Sequence, residues 1–446
     1  MRMPLAKRLV LPEGDVIVYE TVTNRLLRPD GATLQRLRDM DEAQALRWLA
    51  EEGALSMARL SPPAYRRDFN AHRATIETRL PKLTLEVSRR CNLRCSYCVY
   101  SGAFPGRRSH QDVDMSWETL SAALYFYADH SRDLVEGEIG FYGGEALLRF
   151  EMIRCAVAHA REIMPGKALS FVISTNGLAL TQSVRAWLAE NPDVSVSVTL
   201  NGPAHDRYRK KRDGEGSLVN VMGNLERLRG EWPRVWQRQV NLLCNYASYD
   251  ELMAQRTFYN DVIGKAPVLI NPIVLPGVGA AAGVEGRDAV VEAFLREGDP
   301  FLSALFKNEL LRVHRRDILP EGGTAILNSC QPLGSGVFVD AEGSFQVCTE
   351  MERAILLGDV RHGYDWQALR TLNDEMPLRC EACGCRDCWA QRLCCACLAH
   401  DPGTEAARTV FCEKARRDVE NDLALYCRIA SYHPAILERL QRKGGN

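Results

Sequence analysis

Hydrophobic and polar positions change rhythm twice along the chain. Within residues 1–80, short apolar runs at Arg8–Leu11, Val16–Glu20 and Arg25–Leu27 are parted by turn signals at Pro12-Glu13-Gly14 and near Asn24. This pattern predicts a three-stranded antiparallel unit. Two amphipathic helical stretches follow, Ala32–Met40 and Asp41–Glu52, with Asp41 as the N-cap of the second. Ser61-Pro62-Pro63 marks a boundary before a third short helix or linker. From Leu83 onward strand-like and helix-like stretches alternate. The predicted strands are Leu83–Val87, Glu138–Tyr142, Ser170–Ser174, Ser195–Leu200, Gln239–Asn245 and Val268–Val274. Between them lie amphipathic stretches such as Trp117–His130, Phe150–Ile163 and Leu218–Arg229. That repetition predicts an α/β fold with a parallel sheet covered by helices. Six units fit a partial (β/α)6 barrel better than a complete eightfold one. Gly277–Gly286 is rich in Gly and Ala, and Asp288–His314 reads as largely helical. After Glu321-Gly322-Gly323 cysteines accumulate, with a hairpin signal in Val337–Val347 around Glu342-Gly343.

Composition narrows the class. The chain has 446 residues, 46% hydrophobic and 25% charged, as in soluble globular proteins. Its formal charge is −1, which gives no general attraction to nucleic acid or to an anionic membrane. No run approaches the roughly 18 apolar residues of a spanning helix, and no secretory h-region opens the chain. The expected location is the cytoplasm, where thiols stay reduced and a disulfide framework does not explain 16 cysteines. Three of them fall at 91–98 and eleven between 330 and 427, a clustering that points to metal. Cys155 on a helix, Cys244 in a strand and Cys427 in a helix read as buried structural thiols.

The first cluster is Cys91-Asn92-Leu93-Arg94-Cys95-Ser96-Tyr97-Cys98, directly after the first strand of the α/β region. Three thiolates on one loop can hold three corners of a [4Fe–4S] cube and leave one iron open to a chelating molecule. A zinc knuckle is the competing reading, but it wants four ligands and no fourth lies nearby before His110. Further on come Phe141-Tyr142-Gly143-Gly144-Glu145, Ser174-Thr175-Asn176-Gly177 and Thr199-Leu200-Asn201-Gly202-Pro203, each at the carboxyl end of a predicted strand. Barrel-type sheets assemble active sites there.

In these motifs, over about residues 81–275, the chain resembles the radical S-adenosylmethionine superfamily. The resemblance implies that Cys91, Cys95 and Cys98 hold a catalytic [4Fe–4S] cluster whose open iron chelates S-adenosylmethionine. It also implies cofactor contacts from Tyr97, Gly143, Gly144, Glu145, Ser174, Asn176, Thr199 and Asn201. Tyr97 would lie near the adenine, and Glu145 would suit the methionine ammonium. Thr199 and Asn201 stand where relatives usually carry Ser and Asp. His110 and His205 lie beside these motifs and read as surface or structural. The basic run Arg207, Arg209, Lys210, Lys211 and Arg212 reads as a solvated face, with contact to a cofactor carboxylate or an acidic peptide as the other reading.

The late cysteines resemble a SPASM extension. Cys330 and Cys348 frame C-x12-G-x4-C, and Cys385, Cys388, Cys394, Cys397 and Cys412 follow. The resemblance implies one auxiliary cluster on Cys330, Cys348 and Cys397, with Cys380 or Cys383 as its fourth ligand or with that position open to a substrate thiolate. A second would use Cys385, Cys388, Cys394 and Cys412. Only two residues part Cys394 from Cys397, where relatives have three, and Cys395 adds a further ligand choice. A zinc ribbon is the competing reading, although these cysteines outnumber the four that one zinc needs.

The resemblance therefore implies a radical S-adenosylmethionine peptide maturase of the ribosomal-peptide-modifying type. It would form thioether or other crosslinks in a precursor peptide that carries a leader. An electron donor such as flavodoxin or ferredoxin is expected, and no nucleic acid or membrane partner. The expected organisation is a winged-helix-like leader-recognition module over 1–78 and a radical barrel over 79–320. The SPASM-like cluster domain would follow over 321–430, with a tail over 431–446. The module reads alternatively as a cap on the barrel. Competing activities are an anaerobic sulfatase-type formylglycine maturase and a peptide epimerase, decarboxylase or carbon–carbon crosslinking enzyme. A non-catalytic iron–sulfur carrier is the reading from another class.

Overall fold

The computed structural model describes residues 3–59, 69–104, 106–276, 279–280, 285–314, 336–349, 356–394 and 404–442. Strands β1 (Ala6–Val10), β2 (Val16–Glu20) and β3 (Arg25–Leu27) form an antiparallel sheet in the order β1-β2-β3. Helices α1 (Gly31–Arg38), α2 (Glu42–Glu51) and α3 (Phe69–Thr78) follow. Asp41 caps α2 as expected: its carboxylate accepts from Gln44 N, and the Gln44 side chain accepts from Asp41 N in return. The sheet has two buried faces. Ala6, Val16 and Val18 pack with Leu37, Leu46 and Leu49 of α1 and α2. Leu9, Leu11, Ile17 and Tyr19 face the other way, into the large core of the rest of the protein. Alternation along a strand produces this division, and it makes the N-terminal unit part of the main core.

The central sheet is built from β4 (Lys82–Ser88), β6 (Glu136–Gly143), β7 (Ala168–Thr175), β8 (Val194–Thr199), β10 (Val240–Tyr246) and β11 (Leu269–Pro272). All six are paired in parallel, and they correspond to the six expected strands. Short β5 (Leu93–Cys95) and β9 (Arg209–Lys211) form a separate antiparallel pair. Covering helices include α4 (Trp117–His130), α5 (Phe150–Ile163), α6 (Gln182–Glu190), α7 (His205–Tyr208), α8 (Leu218–Glu231), α9 (Pro233–Gln239) and α10 (Tyr249–Phe258). After β12 (Val274–Leu275) and β13 (Gly279–Ala280) come α11 (Arg287–Glu297) and α12 (Pro300–His314), which fill the expected helical stretch.

The expected hairpin is β14 (Val337–Val339) and β15 (Phe345–Gln346). It extends the central sheet, because β14 pairs in parallel with β4. The sheet order is β11-β10-β8-β7-β6-β4-β14-β15, open at both edges among the described residues. The chain ends with β16 (Gly358–Asp359), β17 (Gly363–Tyr364), α13 (Trp366–Ala382), α14 (Glu405–Tyr432) and α15 (Pro434–Arg442). No described helix is long and apolar enough to cross a membrane.

Period-two alternation gives the central strands one apolar and one polar face. Val194, Val196 and Val198 are buried in the core, while Ser195, Ser197 and Thr199 point to the other side. On that second side Glu86 is level with Tyr142, Ser174 with Ser197, and Ser197 with Asn241. This polar face and the carboxyl ends above it carry the candidate site.

The N-terminal sheet is also fastened to the C-terminal region. Arg392, buried, donates from Nε to Thr21 O at 2.6 Å and from Nη2 to Val22 O at 3.1 Å. Arg428 of α14 bridges Glu13 at 2.7 Å and Glu292 of α11 at 2.8 Å. A cavity of about 590 Å3 lies between β1, α2 and the segment Asp387–Trp389.

Candidate active site

The cysteine loop leaves β4 and is seated by the two glycines at the end of β6. Gly144 N donates to Ser88 O and Glu145 N to Arg90 O, both at 2.8 Å. A Cβ on Gly143 would lie 2.1 Å from Ser88 O, and one on Gly144 would lie 2.4 Å from Arg90 O. Gly143 also has φ +129°, which side chains rarely adopt. The approach that these glycines permit is to the segment leading into Cys91.

Glu145 is buried and held by the chain itself. Its Oε1 accepts from Thr175 Oγ1 at 2.7 Å and Leu147 N at 3.0 Å, and its Oε2 accepts from Asn176 N at 2.7 Å. Burial pushes its pKa up, against the pull of these donors and of Arg209. The carboxylate thus joins the end of β6 to the end of β7. Asn176 extends that link, donating from Nδ2 to Asn92 Oδ1 at 2.6 Å and towards Cys91 Sγ at 3.9 Å.

A second group of residues meets at Tyr97. Its hydroxyl accepts from Arg209 Nη1 at 2.9 Å and from the Nδ2 atoms of Asn201 and Asn245, each at 3.3 Å. Asn201 is fully buried, and its Oδ1 accepts from Asn245 N at 3.0 Å. An Asp here would lack the amide donor to Tyr97, so this departure from the usual motif has a structural use. His205 is buried and structural: Nδ1 accepts from Asn201 N at 3.2 Å, and Nε2 lies 3.1 Å from Ser217 Oγ. Desolvation, with help from Arg209, pushes its pKa down to about 3. His110 is half-buried, its ring stacked on Tyr100.

Arg209 corrects the expectation of a solvated basic run. Pairing of β9 with β5 sets Arg209 opposite Cys95 and turns it inwards, whereas Arg207, Lys210 and Arg212 stay exposed. Burial opposes its charge, but Tyr97, Cys95 and Cys91 raise its pKa overall. Its buried Nε has no hydrogen-bond partner among the described residues. No sequence motif marks Asn245 or Gln255, although Gln255 Nε2 donates to Asn201 O at 3.1 Å. Cys155 needs a second correction: it is exposed, because the buried stripe of α5 is Ile153, Ala156, Val157 and Ala160. Cys244 and Cys427 are buried, as expected.

The residues suit a cluster with an open iron. Burial pushes Cys91 up to about 12 and Cys98 up to about 11, so these thiols need a bound cation to ionise at neutral pH. Beside them stand a buried guanidinium with a spare donor and several amide groups, a setting for an anionic ligand group. Ser174 lies on the polar face of the sheet and Thr199 at the carboxyl end of β8.

Of the late cysteines, Cys330 and Cys397 lie outside the described residues, as do Cys395 and the side chain of Cys380. Cys348 follows β15, and Cys383, Cys385, Cys388 and Cys394 lie in the segment after α13. Cys388 feels the Arg416 and Cys412 charges of α14, although burial dominates and raises its pKa. The structure thereby brings Cys388 towards Cys412.

Residues 85–243 match the radical SAM superfamily. These residues are a radical SAM domain. Such a domain carries a [4Fe–4S] cluster and binds S-adenosylmethionine. Over 142 residues the chain is 30% identical to a serine-type anaerobic sulfatase-maturating enzyme of Bacteroides thetaiotaomicron, covering 31% of this chain and 34% of the relative. Over 201 residues it is 24% identical to the radical SAM cyclopropyl synthase TigE of Paramaledivibacter caminithermalis, covering 42% and 39%. The matched stretches thus span between a third and two fifths of these relatives' own length. In fold it is similar to the solved structure of histidine-tagged anSMEcpe with bound AdoMet, at TM-score 0.57 and 19% identity, over 80% of this chain and 98% of that one.

Proposed function

We propose that this chain is a radical SAM peptide maturase that oxidatively modifies, by crosslinking, a ribosomally made precursor peptide bearing a leader. The observation that carries the reading is the placement of the N-terminal sheet. Its Thr21–Val22 turn is bonded to Arg392, between Cys388 and Cys394, while its inner face enters the core shared with the radical SAM sheet. A peptide held by this sheet would lie against the same body that carries the cysteine loops.

Cys91, Cys95 and Cys98 would hold the catalytic cluster. With S-adenosylmethionine bound, that cluster supplies reductive cleavage to methionine and a 5′-deoxyadenosyl radical able to remove a substrate hydrogen atom. Arg209, Asn176, Asn201 and Asn245 would orient the cofactor's polar groups around Tyr97. Glu145, Gly143 and Gly144 hold the loops in register. Ser174 and Thr199 would complete the polar wall. Cys330, Cys348 and Cys397, with Cys383, would hold one auxiliary cluster, and Cys385, Cys388, Cys394 and Cys412 the other. An electron donor such as flavodoxin or ferredoxin would serve the cytoplasmic enzyme.

The leader would add to β3. The outer edge of β1 is closed where Arg8 N donates to Glu42 Oε1 at 3.2 Å, whereas no strand flanks β3 among the described residues. An extended peptide can pair with such an edge through main-chain hydrogen bonds. The likeness to a sulfatase-maturating enzyme supports a second reading, formylglycine formation. The test is to search beside the gene for a short cysteine-rich open reading frame and to co-express its peptide anaerobically with the chain. Crosslinking and serine oxidation both remove two hydrogens. Only formylglycine carries an aldehyde that a hydrazide probe labels, so a labelled product would overturn the crosslinking proposal.

A further inference from the structure

Among the described residues, a deeply buried group of charges lies between the two cysteine regions, outside the site described above. At its centre is Glu86, fully buried on the polar face of β4. Its Oε1 accepts from Tyr100 Oη at 2.5 Å and from Arg108 Nη1 at 3.2 Å. Its Oε2 accepts from Arg89 Nε at 2.9 Å and from Ala341 N, in the β14–β15 turn, at 3.0 Å. Four donors use the full acceptor capacity of a carboxylate.

Two of these partners lead to different cysteines. Tyr100 follows the radical-site loop, and its N lies 3.4 Å from Cys98 Sγ. Arg108, 1% exposed, reaches the other way. Its Nε donates to Thr349 O at 3.0 Å and its Nη2 to Cys348 O at 3.3 Å. Its guanidinium also lies over the Phe338 ring of β14, 4.4 Å from the centroid. Burying such a pair costs desolvation that apolar packing would avoid, so positional specificity is its natural use. A planar guanidinium suits that use, since its fork fixes several acceptors at once.

We propose that Arg108 is a positioning residue for the auxiliary iron–sulfur site at Cys348, buttressed by the same carboxylate that braces the Cys91–Cys98 loop. This rests on Cys348 being an auxiliary-cluster ligand, as proposed above. Arg108 fixes the backbone on which Cys348 is carried and keeps a positive charge beside it. Charge and hydrogen bonding around a cluster set its reduction potential, and outer-shell partners hold its ligands in place. The two cysteine regions then share one rigid support, with a separate arm to each.

The arms make the proposal selective. Full-length protein, reconstituted anaerobically, is compared with Arg108→Met, Arg108→Lys and Glu86→Gln. The readouts are iron content, the EPR signal perturbed by S-adenosylmethionine, and EPR-monitored reduction of the remaining clusters. In Arg108→Met the perturbed signal is expected to match wild type. One other signal should shift to lower potential or disappear, with loss of up to about four irons. Arg108→Lys, which keeps the charge but not the fork, should give a smaller shift. Glu86→Gln should disturb both kinds of signal. Wild-type iron content and potentials in Arg108→Met would overturn the proposal. If Arg108→Met fails to fold, a wild-type auxiliary spectrum in a folded Arg108→Lys overturns it equally. A wild-type protein with about four irons and one signal would instead remove the reading of Cys348 itself.

Discussion

The Tyr97 hydroxyl lies 2.9 Å from Nη1 of the buried Arg209, whose β-strand partner is Cys95. A phenol oxygen offers two lone pairs, yet Asn201 and Asn245 also direct amide donors at it. The donors at this point exceed what the chain uses, and an anionic group of the cofactor is the natural recipient. Arg209→Met is therefore expected to weaken S-adenosylmethionine binding about tenfold or more, the loss of one charge-assisted bond. Iron content should stay as in wild type. Equilibrium dialysis beside an iron assay checks both.

Gly144 faces Arg90 O so closely that a Cβ would stand 2.4 Å from it. Gly144→Ala should cost about 3 kcal/mol through the forced movement of the segment that enters the cysteine loop. Cluster incorporation should fall with it. The comparison is thermal unfolding of the apo-protein and iron content after reconstitution, against Gly223→Ala, where a Cβ meets nothing within 4 Å.

How far these features can be read from the chain depends on the range of the contact. The Val-Ser-Val-Ser-Val-Thr alternation of β8 shows both its faces because the signal is local. The cap at Asp41 and the loops around Cys91, Gly143 and Ser174 are local in the same sense. Arg209 is not, since its burial comes from pairing β9 with a strand far away in sequence. The β14–β4 pairing is long-range too, so nothing local shows that Ala341 and Cys348 approach Glu86 and Arg108. One signal was present: Glu86 interrupts the apolar Leu85-Glu86-Val87 stretch on the polar side of the strand. Cys155 shows the opposite limit, as one step off a buried stripe sufficed to expose it.

His205 predicts acid lability. Its folded pKa is pushed down to about 3 from an ordinary 6.5, so between these values the unfolded chain binds the extra proton. The stability from keeping it neutral is complete above about pH 6.5 and is lost as pH falls towards 3, with a slope of about 1.4 kcal/mol per pH unit. Protonation at Nδ1 would also remove the acceptor for Asn201 N. Urea unfolding at pH 7.5 and pH 5 should show this loss, and His205→Gln should flatten it.

Leu26 tests leader binding without cutting away the N-terminal sheet. Deletion of that sheet would strip Leu9, Leu11, Ile17 and Tyr19 from the main core and confuse folding with recognition. Leu5 O and Asp15 O bond across β1 and β2, and the resulting alternation directs the Leu26 N–H away from β2. Leu26→Pro removes that donor while sparing the ladder. It should leave peptide-free S-adenosylmethionine cleavage near wild type and reduce precursor affinity at least tenfold by fluorescence anisotropy. Unchanged affinity would move the leader elsewhere.

The central claim is that Cys91, Cys95 and Cys98 together hold the cluster that cleaves S-adenosylmethionine. It is tested most directly by quantifying 5′-deoxyadenosine from the reduced, anaerobic wild-type protein and from a variant with all three changed to Ala. The wild type should form it, and the triple variant should form none while losing about four irons and retaining the rest. Continued 5′-deoxyadenosine formation by the triple variant would contradict the account.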